Sequence, residues 1–186
     1  MHFKKFFSKI SLLLCLFVLP ITNLVQASSI EPRDVYGGKW NTNVKIYIDT
    51  YDSAIRGSFL IAIDEWNTAL SNINADIRIS TVYNSADANV SLSVVPYYGA
   101  ATAEVFWTPQ STSVPYSSAR IIVNNNKFSN SDSIQQVNIA VHEMGHVLGL
   151  AHTTNGSYSV MDADISDYHT RVGVTSYDRQ QLDRLY

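Results

Sequence analysis

Val141-His142-Glu143-Met144-Gly145-His146-Val147-Leu148-Gly149-Leu150-Ala151-His152 gathers three of the chain's five histidines into eleven residues. His142 and His146 are four apart, so a helix presents both on one face with Cβ atoms about 5–6 Å apart. That gap lets two imidazoles reach one Zn²⁺ at about 2.0–2.1 Å each. Glu143 stands one step round the helix, placed to accept a proton from water rather than to bind the metal. Gly149 follows His146 by three, where a glycine in the left-handed conformation ends a helix. The chain then turns back and brings in His152 as a third ligand. Three histidines leave a fourth position for water, the arrangement of a catalytic zinc site rather than a structural one. The competing readings are an amphipathic helix with outward-facing histidines, or a zinc site that has lost its chemistry. The second sits poorly with a retained Glu143.

The skeleton H-E-x-x-H-x-x-G-x-x-H resembles the metzincin signature, which pairs it with a downstream methionine turn. Ser159-Val160-Met161-Asp162 places Met161 nine residues after His152. In that family the methionine lies beneath the metal as a soft apolar floor, and the resemblance implies the same for Met161. Taken alone, a methionine is ordinary core.

Residues 1–27 read as a secretory signal peptide. Lys4, Lys5 and Lys9 precede an apolar run at 10–19, and Val25-Gln26-Ala27 ends on a small residue suited to cleavage. The run is too short to span a bilayer comfortably, so retention as an anchor is the lesser alternative. Cys15, the only cysteine, lies inside this leader, where lipidation is a further minor alternative. The remainder has no disulfide but is long enough for one core without it. The net charge is −3, and the leader holds three basic residues and no acid. The rest is therefore more acidic still, which argues against nucleic acid or anionic membrane as a partner. A secreted, extracellular monomer without stable membrane insertion is expected.

Residues 28–38 are polar and irregular, with Pro32 and Gly37-Gly38, and 39–186 read as one domain. Val44, Ile46 and Ile48 alternate in a strand at 40–50. Ile55, Phe59, Ile63, Trp66 and Leu70 mark a helix at 53–71, with Ser53 as N-cap and Trp66 in the core. Strands follow at 76–82 and 88–95. The stretch 96–118 is rich in Ser, Thr and Pro and holds a short edge strand at 103–107. Its Tyr97, Tyr98, Phe106 and Trp107 belong to a surface loop or to a cleft rim that binds an extended peptide by β-augmentation. A strand at 120–124 leads to a turn at Asn124-Asn125-Asn126. The next helix is capped by Asp132 or Ser133 and turns Ile134, Val137, Val141 and Leu148 inward. Residues 163–174 form a polar loop, and 175–186 a closing helix with Tyr177, Leu182 and Leu185 as apolar contacts.

This order is similar to the catalytic domain of matrix metalloproteinases, the matrixins, closely over 136–161 and more loosely from Trp40 to Tyr186. The resemblance implies an α+β fold with a twisted, mixed, mostly parallel sheet, two long helices, a zinc helix, a Met-turn and a C-terminal helix. It also implies one catalytic Zn²⁺. Some positions depart from the family. Thr153 stands where matrixins usually carry Ser, and Ala163 where they carry Pro and where astacins and serralysins carry a tyrosine ligand. His2 is the only histidine upstream of His142, so the family's second, structural zinc site cannot be built as usual. No Asp/Gly-rich calcium loop lies between Val95 and Arg120, and calcium dependence is not expected. Matrixin zymogens place a cysteine on the zinc from a Pro-Arg-Cys-Gly segment. This chain has Pro32-Arg33-Asp34, which makes Asp34 a candidate cap in a short pro-segment, against the plainer reading of a surface acid. His169 falls in the loop that in matrixins walls the pocket for the residue after the scissile bond. An exposed histidine is the plainer reading there, with Tyr168 a candidate lining residue.

The function read from these residues is a secreted zinc endopeptidase that hydrolyses extracellular proteins bound in extended form, with Glu143 as general base. A cell-wall-directed zinc hydrolase and a non-catalytic zinc-binding secreted module are the alternatives.

Overall fold

The computed structural model describes residues 35–36, 38–97, 99–109, 115–153 and 158–186. The leader at 1–27, Asp34, Gly37 and Tyr98 lie outside the described residues.

Five strands form one sheet in the order β2-β1-β3-β5-β4. β1 (Val44–Asp49) buries Val44, Ile46 and Ile48 on one face, as period-two alternation requires. It runs parallel to β2 (Ile79–Val82) and to β3 (Val90–Val95), and β3 runs parallel to β5 (Ser118–Asn124). β4 (Ala103–Thr108) is antiparallel to β5 and forms the sheet's edge. The sheet is thus mixed and mostly parallel.

α1 (Ser53–Asn72) buries Ile55, Phe59, Ile63, Trp66 and Leu70. Burial of such side chains contributes about 1.5–3 kcal/mol each. Its N-cap is Asp52, not Ser53. The Asp52 backbone is still extended, and its carboxylate accepts from the N–H groups of Ala54 and Ile55. Both residue types cap helices; the backbone chose the earlier one.

The Asn124–Asn126 turn is also corrected: Asn124 caps a short helix, α2 (Asn125–Asn130), by accepting from the Lys127 N–H. Burial of Phe128 holds this single turn and a half in place, which its asparagines alone would not do. α3 (Ser133–Val147) packs against α1, and α4 (Ser176–Leu185) closes the fold. Ile134 is 38% exposed rather than inward, because at the first turn of α3 it projects beyond the packed region. The stretch 163–174 is less polar in effect than its composition: Ile165, in a short 3₁₀ turn (Ile165–Asp167), and Val172 are both buried. Among the described residues no helix is long and apolar enough to cross a membrane.

Candidate metal centre

α3 starts from a reciprocal cap. The Asp132 carboxylate accepts from the N–H groups of Ile134 and Gln135 at 2.9 Å each, and the Gln135 side chain accepts from the Asp132 N–H at 2.8 Å. Every residue from Asn138 to Val147 is buried. The chain's three tryptophans all donate to this helix. Trp66 reaches the Val141 carbonyl at 2.8 Å, Trp107 that of His146 at 3.0 Å, and Trp40 that of Val147 at 2.7 Å. The His146 and Val147 carbonyls lie in the last turn, where helical partners run short.

Gly149 stands just past this helix at φ 101°, and a Cβ there would lie 2.5 Å from the Gly38 carbonyl oxygen. Only glycine satisfies both the left-handed backbone and that approach. The chain then brings His152 opposite the helix. Its Nε2 lies 3.1 Å from the Nε2 of His142 and 3.1 Å from that of His146.

The opposite ring nitrogens decide what those atoms can hold. His142 Nδ1 is 2.8 Å from the Val160 carbonyl, and His146 Nδ1 is 2.8 Å from that of Leu150. A carbonyl only accepts, so both Nδ1 atoms carry the proton and both Nε2 atoms present lone pairs. His152 Nε2 faces both of them, and three ring nitrogens gathered at this separation fit a cation. Tetrahedral ligands about 2.05 Å from zinc are roughly 3.3 Å apart, close to the 3.1 Å from His152 to each of the other two. The carbonyl partners are the outer contacts that orient metal-binding histidines. Burial also keeps the rings neutral: His142 is pushed down to about 4, by burial first and then by His152. His146 is driven well below its ordinary value, again mainly by burial. His152 is lowered by burial and partly restored by Asp162.

Glu143 is buried, and its Oε2 has no hydrogen-bond partner among the described residues. Burial first, and the Glu104 charge second, push its carboxyl up to about 8. A cation at the triad acts in the opposite direction to both. Glu143 and the three histidines line one cleft of about 590 Å³ together with Tyr36, Ala103, Glu104, Trp107, Ile139 and Ile165.

Met161 passes against the helix at Gly145, where a Cβ would come within 2.3 Å of its sulfur and 2.9 Å of the Trp66 ring. The turn carrying it is tied at both ends. Thr153 N–H donates to the Met161 carbonyl at 2.9 Å, and buried Asp178 of α4 accepts from the Ser159 hydroxyl and from the Val160 N–H. Asp178 also accepts from Thr175, so one carboxylate joins the α4 cap to the turn whose Val160 carbonyl orients His142.

The Ile165–Asp167 wall is stapled to α3. Gln135 donates to the Ser166 carbonyl at 2.8 Å, and Asn138 binds Thr170 and Val172 at 2.8 and 2.9 Å. His169 faces outward, 2.7 Å from Asp132, and stands apart from the three-histidine group; Tyr168 donates to Asp162. Several of these roles carry no local signal. Gly145 is an unmarked position within the motif, and Asp178, Glu104 and Tyr36 reach the site only through tertiary contact. The three indoles could be found from sequence only as apolar residues.

The family model described as Matrixin matches residues 67–186. No curated protein matches the chain by sequence. Two solved structures of myroilysin are similar in fold. One is 14% identical with a TM-score of 0.56 and covers 86% of this chain and 87% of that one. The other is 13% identical with a TM-score of 0.53 and covers 80% and 85%. At such identities the likeness is one of fold. The family match takes in α3, the turn after it and α4, and so the whole three-histidine site: the chain belongs to the matrixins, a family of zinc metalloendopeptidases.

Proposed function

We propose that the chain is a secreted endopeptidase that cleaves extracellular proteins bound in extended form along β4, with Glu143 as general base. One observation carries this reading. Three histidine ring nitrogens converge in the same cleft as a buried carboxylate oxygen that has no partner among the described residues.

When bound to His142, His146 and His152, zinc supplies Lewis acidity toward a carbonyl and toward water. The residues do the rest. Glu143 Oε2 accepts the proton of the attacking water and delivers it to the leaving amine nitrogen, so the carboxylate is regenerated. Among the described residues β4 is the sheet's edge strand, the side on which a peptide strand can add. Trp107 and the Asn138 and Gln135 staples hold the two sides of the cleft in register with α3. For Asp34 a cap on the metal is the alternative to a plain surface acid, and unchanged activity and autolysis in Asp34→Ala would leave it a surface acid.

The test is hydrolysis of casein or gelatin with and without a zinc chelator. Cleavage that stops on chelation and returns with zinc is expected. An intact, zinc-loaded chain that cuts neither protein refutes the reading, and one that clears peptidoglycan instead places it on cell-wall substrates.

A further inference from the structure

The cleft has two ends. The Ile165–Asp167 wall lies toward the start of α3, where Gln135 donates to the Ser166 carbonyl, and Trp107 lies toward its end, where it donates to that of His146. From Ala103 to Trp107 the strand spans about 13 Å, and from Ile139 to His146 the helix spans about 10 Å. Several extended peptide residues therefore fit between the ends.

At the second end an aromatic surface is assembled from remote parts of the chain. The Tyr36 ring lies 4.7 Å from Trp107 and 5.7 Å from His146, centroid to centroid, and Trp107 stacks on Tyr116 at 5.9 Å with an interplanar angle of 22°. The backbone under Tyr36 is fixed as well. Its N–H donates to the Gly149 carbonyl at 2.8 Å, and Val35 bridges Leu150. Tyr36 is thus strapped to the turn that ends α3 and supplies His152. Its ring remains half-buried and lines the cleft beside Glu143 and the histidines.

We propose that Tyr36, seated on Trp107, is a specificity-determining residue: its ring forms the subsite that takes an aromatic or large apolar side chain of the peptide, on the flank of the scissile bond away from the Ile165–Asp167 wall. The inference rests on the endopeptidase reading above. The selecting force is apolar burial with ring-on-ring contact.

The test uses the full zinc-loaded chain and internally quenched peptides varied one position at a time on both sides of the cleaved bond. The unsubstituted protein should prefer Phe, Tyr or Leu over Ala and Asp at one position by roughly tenfold or more in kcat/KM, carried by KM. Tyr36→Ala should cut that ratio to about threefold or less there alone, while Tyr36→Phe keeps it. Equal ratios in the unsubstituted protein and Tyr36→Ala, or equal losses in Tyr36→Phe and Tyr36→Ala, overturn the proposal.

A second readout needs no turnover. Zinc-loaded Glu143→Gln is titrated, with tryptophan fluorescence as the signal, with N-acetyl-Ala-Ala-Phe against N-acetyl-Ala-Ala-Ala. Phe-Ala-Ala-amide is likewise compared with Ala-Ala-Ala-amide. One Phe peptide should bind roughly tenfold tighter than its Ala partner, and the difference should vanish when Tyr36→Ala is added. No discrimination in either pair overturns the subsite. Discrimination in this titration, together with no cleavage of any peptide by the zinc-loaded unsubstituted protein, overturns the endopeptidase reading and leaves the subsite standing.

Discussion

Across the cleft, α3 and β4 are built differently. From Asn138 to Val147 no residue of α3 is exposed, and its histidines and carbonyls are held by hydrogen bonds from several elements. In β4 only Ala103 is buried, and among the described residues no strand pairs with its outer side. Chemistry needs ligands fixed to fractions of an ångström, so it sits on the buried element. Recognition of many sequences needs open main-chain groups, so it sits on the exposed edge.

The contrast breaks most completely if the floor loses a ligand. His146→Ala should lose both bound zinc and turnover, by metal analysis and casein hydrolysis. It should also lose the stabilisation that zinc confers, about 4 kcal/mol at a thousandfold excess over its dissociation constant. A fully active His146→Ala chain would contradict the floor's role.

Next comes Asp178→Ala, far from the cleft surface. It leaves the Ser159 hydroxyl and the Val160 and Thr175 N–H groups without their acceptor, so a loss of about 2–4 kcal/mol is expected by denaturant unfolding. Zinc affinity should fall with it, because the Val160 carbonyl orients His142. Gly145→Ala should cost about 1–3 kcal/mol, since Met161 and Trp66 must move from a well-packed site.

Acid should loosen the floor before the rim. Buried His142 titrates near 4 in the fold against about 6.5 unfolded, so the unfolded chain binds more protons between those values. In the zinc-stripped Glu143→Gln chain, where the raised Glu143 carboxyl does not oppose it, the His142 contribution is full above about pH 6.5 and declines as pH falls toward 4, by roughly 3 kcal/mol. A flat unfolding free energy across that window would refute the burial argument. The smallest effect is expected at His169→Ala, an exposed partner of Asp132, which should leave kcat/KM within about twofold.

What was legible in the sequence follows the same division. Period and caps are local, so β1, α1 and α3 could be read from Val44-Ile46-Ile48, from Ile55 to Leu70 and from Asp132 onward. The edge strand at Ala103 was legible too, as an apolar interruption in a polar stretch. Asp52 against Ser53, and a helix in place of a turn after Asn124, turned on backbone angles that those residue types leave open. The supports of the site were not legible at all. Trp40 finds Val147 across 107 residues, and Tyr36 meets Trp107 only because a remote backbone pair holds it there. No spacing rule links such residues, and only the packed fold shows them as neighbours.

The most direct test is Glu143→Gln, with bound zinc and casein hydrolysis measured on the same sample. The site as described predicts one zinc per chain and a fall in kcat/KM of about 10²–10⁴-fold. Unchanged hydrolysis with zinc in place would show that this carboxylate is not the base.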